Sequence, residues 1–86
     1  MRTIGITDRE REVVAAWWHE GTVVGAAKLL ELHPQTAKNL LSTARLRSGA
    51  PTTLALARMY STALPSVAVL RRRTRERKAR RGSHAT

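Results

Sequence analysis

The stretch GTVVGAAKLLELHPQTAKNLLSTARLRSG, residues 21–49, predicts two short helices joined by a tight corner. Its apolar residues follow one helical face up to Leu30 and a second, rotated face beyond the corner. Pro34 marks the corner, because proline suits the first position of a helix and pushes the preceding His33 out of the helical region. Ala27 stands where the two helices cross, so only a methyl group separates them there. This arrangement is typical of a helix-turn-helix.

The polar residues of the second of these helices predict a surface for nucleic acid. Gln and Asn side chains pair bidentately with adenine, and Lys and Arg bind guanine or phosphate. A solvated polar face is the competing interpretation, but the corner, the small Ala27 and the positive charge together favour nucleic acid. The predicted contact residues on this helix are Gln35, Thr36, Lys38, Asn39, Ser42, Arg45 and Arg47.

Positive charge is concentrated at the C-terminal end of the chain. The 86 residues carry a formal net charge of +10, and residues 71–86 hold eight Lys/Arg against one Glu. Such a tail suits phosphate backbones or an anionic membrane surface. Because few tail residues are apolar, we expect the free tail to be disordered or a fraying helix that could order on phosphate. The tail residues assigned to DNA binding are Arg71, Arg72, Arg73 and Arg75.

The N-terminal part of the chain predicts a well-capped first helix. Thr7 and Glu10 form a capping box, in which the Thr7 hydroxyl accepts from the Glu10 amide and the Glu10 carboxylate accepts from the Thr7 amide. Trp17 is expected to be the main aromatic residue of the core and Trp18 to be half exposed. Ile4 and Ile6, in an extended segment before this helix, are expected to fold back onto the domain.

The segment after Gly49 predicts a further helix with more than one apolar side. Pro51 and the following threonines give a turn and a helix cap, and the helix itself reads TLALARMY. An apolar surface of this extent on a small domain favours a homodimer contact through Leu54, Arg58 and Met59, although the helix could instead pack only on its own core. Pro65 or Ser66 could begin one more helix.

Several classes of protein are disfavoured by composition. Without cysteine the chain has no disulfide framework and no cysteine zinc site. No apolar run approaches the roughly 20 residues that span a bilayer, and no signal-peptide core is present, so we expect a cytoplasmic, nucleoid-associated protein without a membrane partner. His19, His33 and His84 lie far apart without acidic or nucleophilic neighbours at useful spacing. We therefore expect neither an enzyme nor a cofactor or metal site.

The motifs TDREREVV and GAAKLLELHPQTAKNLLSTARLRSGAPTTLALA together resemble the LuxR/GerE-type helix-turn-helix domain of bacterial transcription regulators. The resemblance covers about residues 6–60. It implies four helices, of which the third enters the major groove and the fourth often serves dimerisation. Glu31 stands where the family often has glycine, so this residue is expected to be held at positive φ at a cost of about 1 kcal/mol.

The sequence thus predicts an all-α protein, a small four-helix helix-turn-helix domain over residues 1–62 with a basic, helical or disordered extension over residues 63–86. The expected function is sequence-specific binding of double-stranded DNA by a small transcription regulator, a homodimer that reads the major groove with residues 34–47. A stand-alone domain of this kind suits a phage or mobile element. Two alternatives stay open, an RNA polymerase interaction module similar to the promoter-recognition region of sigma factors and a phage DNA-packaging or architectural protein.

Overall fold

The chain is all-helical. A computed structural model describes the backbone of residues 5–85 and the side chains of residues 5–80. Within that part, five α-helices and one short 3-10 turn follow one another without any strand. The helices are α1 (Asp8–Glu20), α2 (Val23–Leu30), α3 (Pro34–Ser48), α4 (Thr53–Met59) and α5 (Val67–Ala85), and the 3-10 turn (Ser61–Ala63) lies between α4 and α5. The predicted all-α class is confirmed.

The first helix begins at the predicted capping box. The Glu10 amide donates to the Thr7 hydroxyl at 3.1 Å, and the Thr7 amide donates to the Glu10 carboxylate at 2.9 Å. Two amides at the helix start are therefore satisfied by side chains. The helix ends at Gly21, whose φ of 83° is the left-handed conformation that glycine adopts at little cost.

The corner between α2 and α3 has the predicted form. Glu31 ends α2 at φ 56° and ψ 47°, which confirms the expected positive φ at a residue that is not glycine. The Leu32 amide donates to the Ala27 carbonyl at 2.8 Å, so the chain turns back sharply at the end of the helix. His33 is extended, and its Nδ1 accepts from the Gln35 amide at 3.1 Å, so the histidine itself caps α3.

Small residues dominate the core where helices α1, α2 and α3 meet. Ala27 is fully buried, as the sequence predicted, and the largest fully buried side chains are only Leu56, Leu70, Val13 and Val14. Trp17 is partly buried and packs against this core, while Trp18 is 46% exposed. Because many of the buried side chains are single methyl groups, helices that pack through them can approach closely. Ile6 packs in the core as expected, and Ile4 lies outside the described residues.

The basic C-terminal segment forms a long helix, which is the helical one of the two forms that the sequence left open for this extension. Its packing on the domain was not expected. Helix α5 lies against α1 and α2. Leu70 is fully buried and Thr74, one turn later, is 5% exposed. Arg73 and Arg77 on the same helix bind the buried carboxylate of Glu12. Composition alone did not reveal this, because a few inward residues at helical spacing are sufficient to dock a helix that is otherwise basic.

Gly25 of α2 lies close to the end of α1. A Cβ atom at this residue would lie 2.9 Å from Glu20 Cβ and 2.9 Å from the Thr22 hydroxyl, which caps α2 by accepting from the Gly25 amide. A side chain at this position would therefore displace either the end of α1 or the Thr22 cap of α2.

We therefore expect Gly25→Ala to destabilise the protein by about 1–2 kcal/mol, although alanine favours a helix by about 1 kcal/mol at an unconstrained site. Urea unfolding followed by circular dichroism measures the change. The control is Lys28→Ala at an exposed position of the same helix, which should change the free energy of unfolding by less than about 0.5 kcal/mol. A more stable Gly25→Ala variant would show that the close approach is absent.

Candidate nucleic-acid interface

The outward face of α3 carries the polar residues that the sequence singled out. Ala37, Leu41 and Ala44 face the core. Successive helical residues advance by about 100°, so the opposite face must carry residues 35, 39, 42 and 46. The predicted contact residues Gln35, Thr36, Lys38, Asn39 and Ser42 are all exposed. Six of the seven predicted α3 residues are exposed, with Arg47 as the sixth. Gln35, Asn39 and Ser42 lie at the centre of the outward face, and Thr36 and Lys38 lie at its two opposite edges.

Gln35 and Asn39 are joined by a hydrogen bond on this surface. Gln35 Nε2 donates to Asn39 Oδ1 at 2.9 Å, across one turn of the helix. The bond holds both side chains side by side and leaves the Gln35 carbonyl oxygen and the Asn39 amide hydrogens free. The free carbonyl oxygen can accept from the N6 amino group of an adenine in the major groove, and the free amide hydrogens can donate to its N7.

Leu46 is a residue of this face that the sequence interpretation missed. It is 85% exposed, the most exposed large apolar side chain of the described residues. It lies one turn beyond Ser42 on the same stripe as Gln35 and Asn39, so it points directly away from the core. Its position in the sequence could have identified it, because Leu46 follows Ser42 by four residues and does not share the helical face of Leu41 and Ala44.

Arg45 and Arg47, predicted to contact phosphate, both have partners within the chain. Arg45 Nη2 donates to the Pro51 carbonyl at 2.6 Å and so ties the end of α3 to the loop before α4. Arg47 Nη2 lies 3.3 Å from the carboxylate of Glu10 on α1. Each guanidinium has further N–H groups, so a phosphate contact requires no loss of these bonds. Both residues also help to hold α3 in place.

The four tail arginines assigned to DNA binding fall into two groups. Arg73 faces α1 and binds the Glu12 carboxylate at 3.4 Å. Arg71, Arg72 and Arg75 are exposed, and none of them forms an ion pair with a described residue. The inner face of the basic helix serves packing, while Arg71 and Arg75 line a groove of about 470 Å³ together with Glu20, Lys28 and Glu31.

Glu12 is the buried anion around which the inner face of α5 is arranged. Its side chain is 4% exposed. Arg77 binds it through both terminal nitrogens, at 3.0 and 3.3 Å, and Arg9 adds a third bond at 3.1 Å. Burial raises the pKa of Glu12, but the hydrogen bonds and charges of Arg77 and Arg9 outweigh it and leave the pKa below its ordinary value of 4.5. The charged carboxylate is therefore the form that the fold stabilises.

The exposed side of α4 carries the residues predicted for a dimer contact. Leu54 is 43% and Met59 55% exposed, and Arg58 is exposed beside them. Leu56 and Ala57 face inward and are fully buried. The helix is thus apolar on both its inner and its outer side, as the sequence indicated. The homodimer contact that would cover the outer side stays a prediction.

No group of three or more His, Cys, Asp or Glu side chains in the described part of the chain could hold a metal ion. None of the described helices is both long and apolar enough to cross a bilayer. Comparison of the chain with protein-family models, curated proteins and solved structures gives no match.

The charge of Glu12 should make the stability of the fold depend on pH. Because the folded-state pKa lies below the ordinary value, the unfolded chain takes up the proton first as pH falls. The stabilisation from Glu12 is therefore complete well above pH 4.5 and is lost as pH falls through the lower folded-state pKa. We expect Glu12→Gln to lower the free energy of unfolding by about 1.5–3 kcal/mol at pH 7, which is the range for hydrogen bonds to charged groups. At pH 3 the decrease should be much smaller.

Urea unfolding of both proteins at the two pH values measures this difference. Asp8→Asn is the control, since the Asp8 side chain is 91% exposed and should contribute little at either pH. An equal cost of Glu12→Gln at pH 7 and pH 3 would mean that the charge on Glu12 does not stabilise the docked helix.

Proposed function

We propose that this protein binds double-stranded DNA in a sequence-specific manner and regulates transcription, with α3 in the major groove. The observation that carries the proposal is the outward stripe of α3, where Gln35 and Asn39 form a pre-arranged amide pair opposite the buried Ala37 and Leu41. An amphipathic helix beyond a tight corner is the element that helix-turn-helix proteins insert into the groove. The proposal includes membership of the LuxR/GerE-type class and a cytoplasmic, nucleoid-associated location.

In this mechanism phosphate contacts position the protein and base contacts select the site. Lys38 is exposed beside the amide pair and forms no ion pair with a described residue, so its charge is available to a guanine or a phosphate. The N-terminal part of α3 enters the groove, so Gln35, Lys38 and Asn39 meet base edges there. Thr36 and Ser42 lie beside them. Arg45 and Arg47, nearer the C-terminal end of α3, contact the phosphate backbone of the DNA.

The proposed active form is a homodimer joined through the outer side of α4. Leu54 and Met59 present apolar surface that a second copy of the chain would cover, with Arg58 at the rim. Two-fold symmetry then places two α3 helices in successive major grooves, so half-sites lie about one helical turn apart. The roles of an RNA polymerase interaction module or a DNA-packaging protein remain the alternatives.

The reading of sequence by α3 is tested with the site selected by the protein from random DNA. Gln35→Ala and Asn39→Ala should each weaken binding to the selected site by about 1–3 kcal/mol and change binding to a scrambled site little. Because the two side chains are hydrogen-bonded, the double variant should lose less than the sum of the single losses.

Fluorescence anisotropy titrations of each variant with both duplexes measure these losses. Thr62→Ala, at an exposed position of the 3-10 turn outside α3, is the control and should bind both duplexes as the wild type does. Equal losses on the selected and the scrambled duplex, with no shift in preference, would show that this face of α3 does not read sequence.

Dimerisation through α4 is tested by placing a charge on its outer side. Leu54→Asp should convert dimers to monomers and weaken binding to the two-fold site, because a carboxylate in an apolar interface is costly to desolvate. Sedimentation of the free proteins gives their masses. Leu46→Asp is the matched control, an even more exposed leucine on another helix, and it should leave the mass unchanged. A monomeric wild type, free and on DNA, contradicts the proposed dimer.

A further inference from the structure

The positive charge of α5 lies on two flanks of its buried stripe. Leu70 and Thr74 form this stripe and point into the domain. Successive helical residues advance by about 100°, so neighbouring cations fall on either side of the stripe. One flank holds the buried carboxylate of Glu12 in α1, and the other faces α2. The α1 flank consists of Arg73 and Arg77, and the α2 flank consists of Arg71, Arg75 and Lys78.

The groove of about 470 Å³ lies between the α2 flank and α2 itself. Pockets that hold small molecules span about 300–1,000 Å³, so a ligand of that class has room here. Leu29 of α2, which is partly buried against the core, supplies apolar surface to the groove. Three cations also line it and form the cation trio, which consists of Lys28 of α2 with Arg71 and Arg75 of α5.

The cation trio forms no ion pair with a described residue. Two carboxylates line the same groove, Glu20 and Glu31, and Glu31 is bound by Lys78 at 3.3 Å. Three positive charges therefore share the groove with one carboxylate, Glu20, that is not paired with a described cation. The groove has an excess of positive charge, which an anionic ligand would balance.

Thr74 adds a buried hydroxyl to this groove. The residue is 5% exposed, and its Oγ1 has no hydrogen-bond partner among the described residues. Buried polar groups in folded proteins nearly always have such a partner. A hydroxyl donates one hydrogen bond, so a ligand oxygen at the floor of the groove would give Thr74 the acceptor that it lacks.

A single phosphate suits the groove better than the phosphate backbone of a duplex, to which the sequence assigned Arg71 and Arg75. Glu20 and Glu31 lie in the same groove and would repel a row of phosphates. A small ligand can place one phosphate among the cations and its apolar part on Leu29, away from both carboxylates.

We propose that the groove between α2 and α5 binds a small organic phosphate. The cation trio holds the phosphate oxygens, the Thr74 hydroxyl donates to one of them, and the organic part packs on Leu29. Arg71 and Arg75 lie four residues apart, so both guanidinium groups can reach one anion, and their planar forks match the geometry of phosphate. The site does not depend on the reading of DNA by α3.

An NMR titration of the full chain, labelled with ¹⁵N, tests the site. Phenyl phosphate is the probe, because it combines one phosphate with one apolar ring, and sodium chloride holds the ionic strength constant. The amide signals of Gly25, Lys28, Thr74 and Arg75, which line the groove, should shift and saturate with a Kd of about 1 mM or lower. Inorganic phosphate should bind at least about threefold more weakly, because it lacks the ring that packs on Leu29.

Substitutions distinguish a specific site from a general effect of charge. Arg71→Gln and Arg75→Gln should each weaken the binding of phenyl phosphate at least about fivefold. The matched control is Arg72→Gln, which removes the same charge from an exposed position of α5 outside the groove and should change the affinity less than about twofold. Thr74→Val keeps every charge and should weaken binding about threefold or more.

The melting temperatures of these variants should not fall below that of the wild type. None of the three arginines has an ion-pair partner among the described residues, and the Thr74 hydroxyl has no described hydrogen bond to lose. A loss of affinity at unchanged stability would therefore reflect contacts with the ligand.

Three results would overturn the phosphate site. Shifts that do not saturate, or a loss of affinity in Arg72→Gln as large as that in Arg75→Gln, would assign binding to net charge alone. Shifts confined to α3 would place the phosphate on the proposed DNA face. Displacement of phenyl phosphate by a duplex, with duplex affinity reduced in Arg75→Gln but not in Arg72→Gln, would assign the groove to the phosphate backbone of DNA.

Discussion

The structure depends on the two buried carboxylates of the central helix. Glu10 caps the start of α1 and reaches Arg47 of α3, and Glu12 holds Arg73 and Arg77 of α5. A carboxylate buried without cations would be costly, so each requires an arginine from a neighbouring helix. Because residues two apart on a helix face opposite directions, the two anions draw their partners to opposite sides.

Small buried side chains allow the short helices of this chain to pack closely on one another. Many of the buried residues of α1, α2 and α3 are alanines, among them Ala16, Ala27 and Ala37, which are fully buried. Helices that meet through methyl groups lie close together, so eight residues of α2 are sufficient to orient α3. The strained φ at Glu31 is maintained because the packing of the helices on either side determines the path of the corner.

Helix α5 shows how electrostatic and apolar contacts combine where the apolar contribution alone is small. Few of the α5 side chains that the structure describes are buried, and Leu70 is fully buried among them. The bidentate contact of Arg77 with Glu12 adds directional hydrogen bonds in a partly buried setting, where charge-assisted bonds are stronger than at an open surface. One side of the basic helix is therefore used for docking, while Arg71, Arg72 and Arg75 stay exposed.

The helix boundaries near strong local signals could be predicted from the sequence. The capping box at Thr7, the proline at the start of α3 and the glycine after it each act through the backbone of a few neighbouring residues, so α1, the corner and α3 were identified correctly. The all-α class followed from the same signals. The polar stripe of α3 was predicted for the same reason, since residues at helical spacing share a face in any helix.

What only the tertiary structure decided is which charged side chains meet. Nothing local to Arg73 or Arg77 reveals a carboxylate more than 60 residues away in sequence, so the tail was expected to be disordered or fraying when free. The exposure of Leu46 and the internal bonds of Arg45 and Arg47 also depend on how α3 is rotated against its neighbours. Sequence determined the helices and their faces through short-range backbone chemistry. Burial and pairing at a distance determined their rotation and the side on which each positive charge lies.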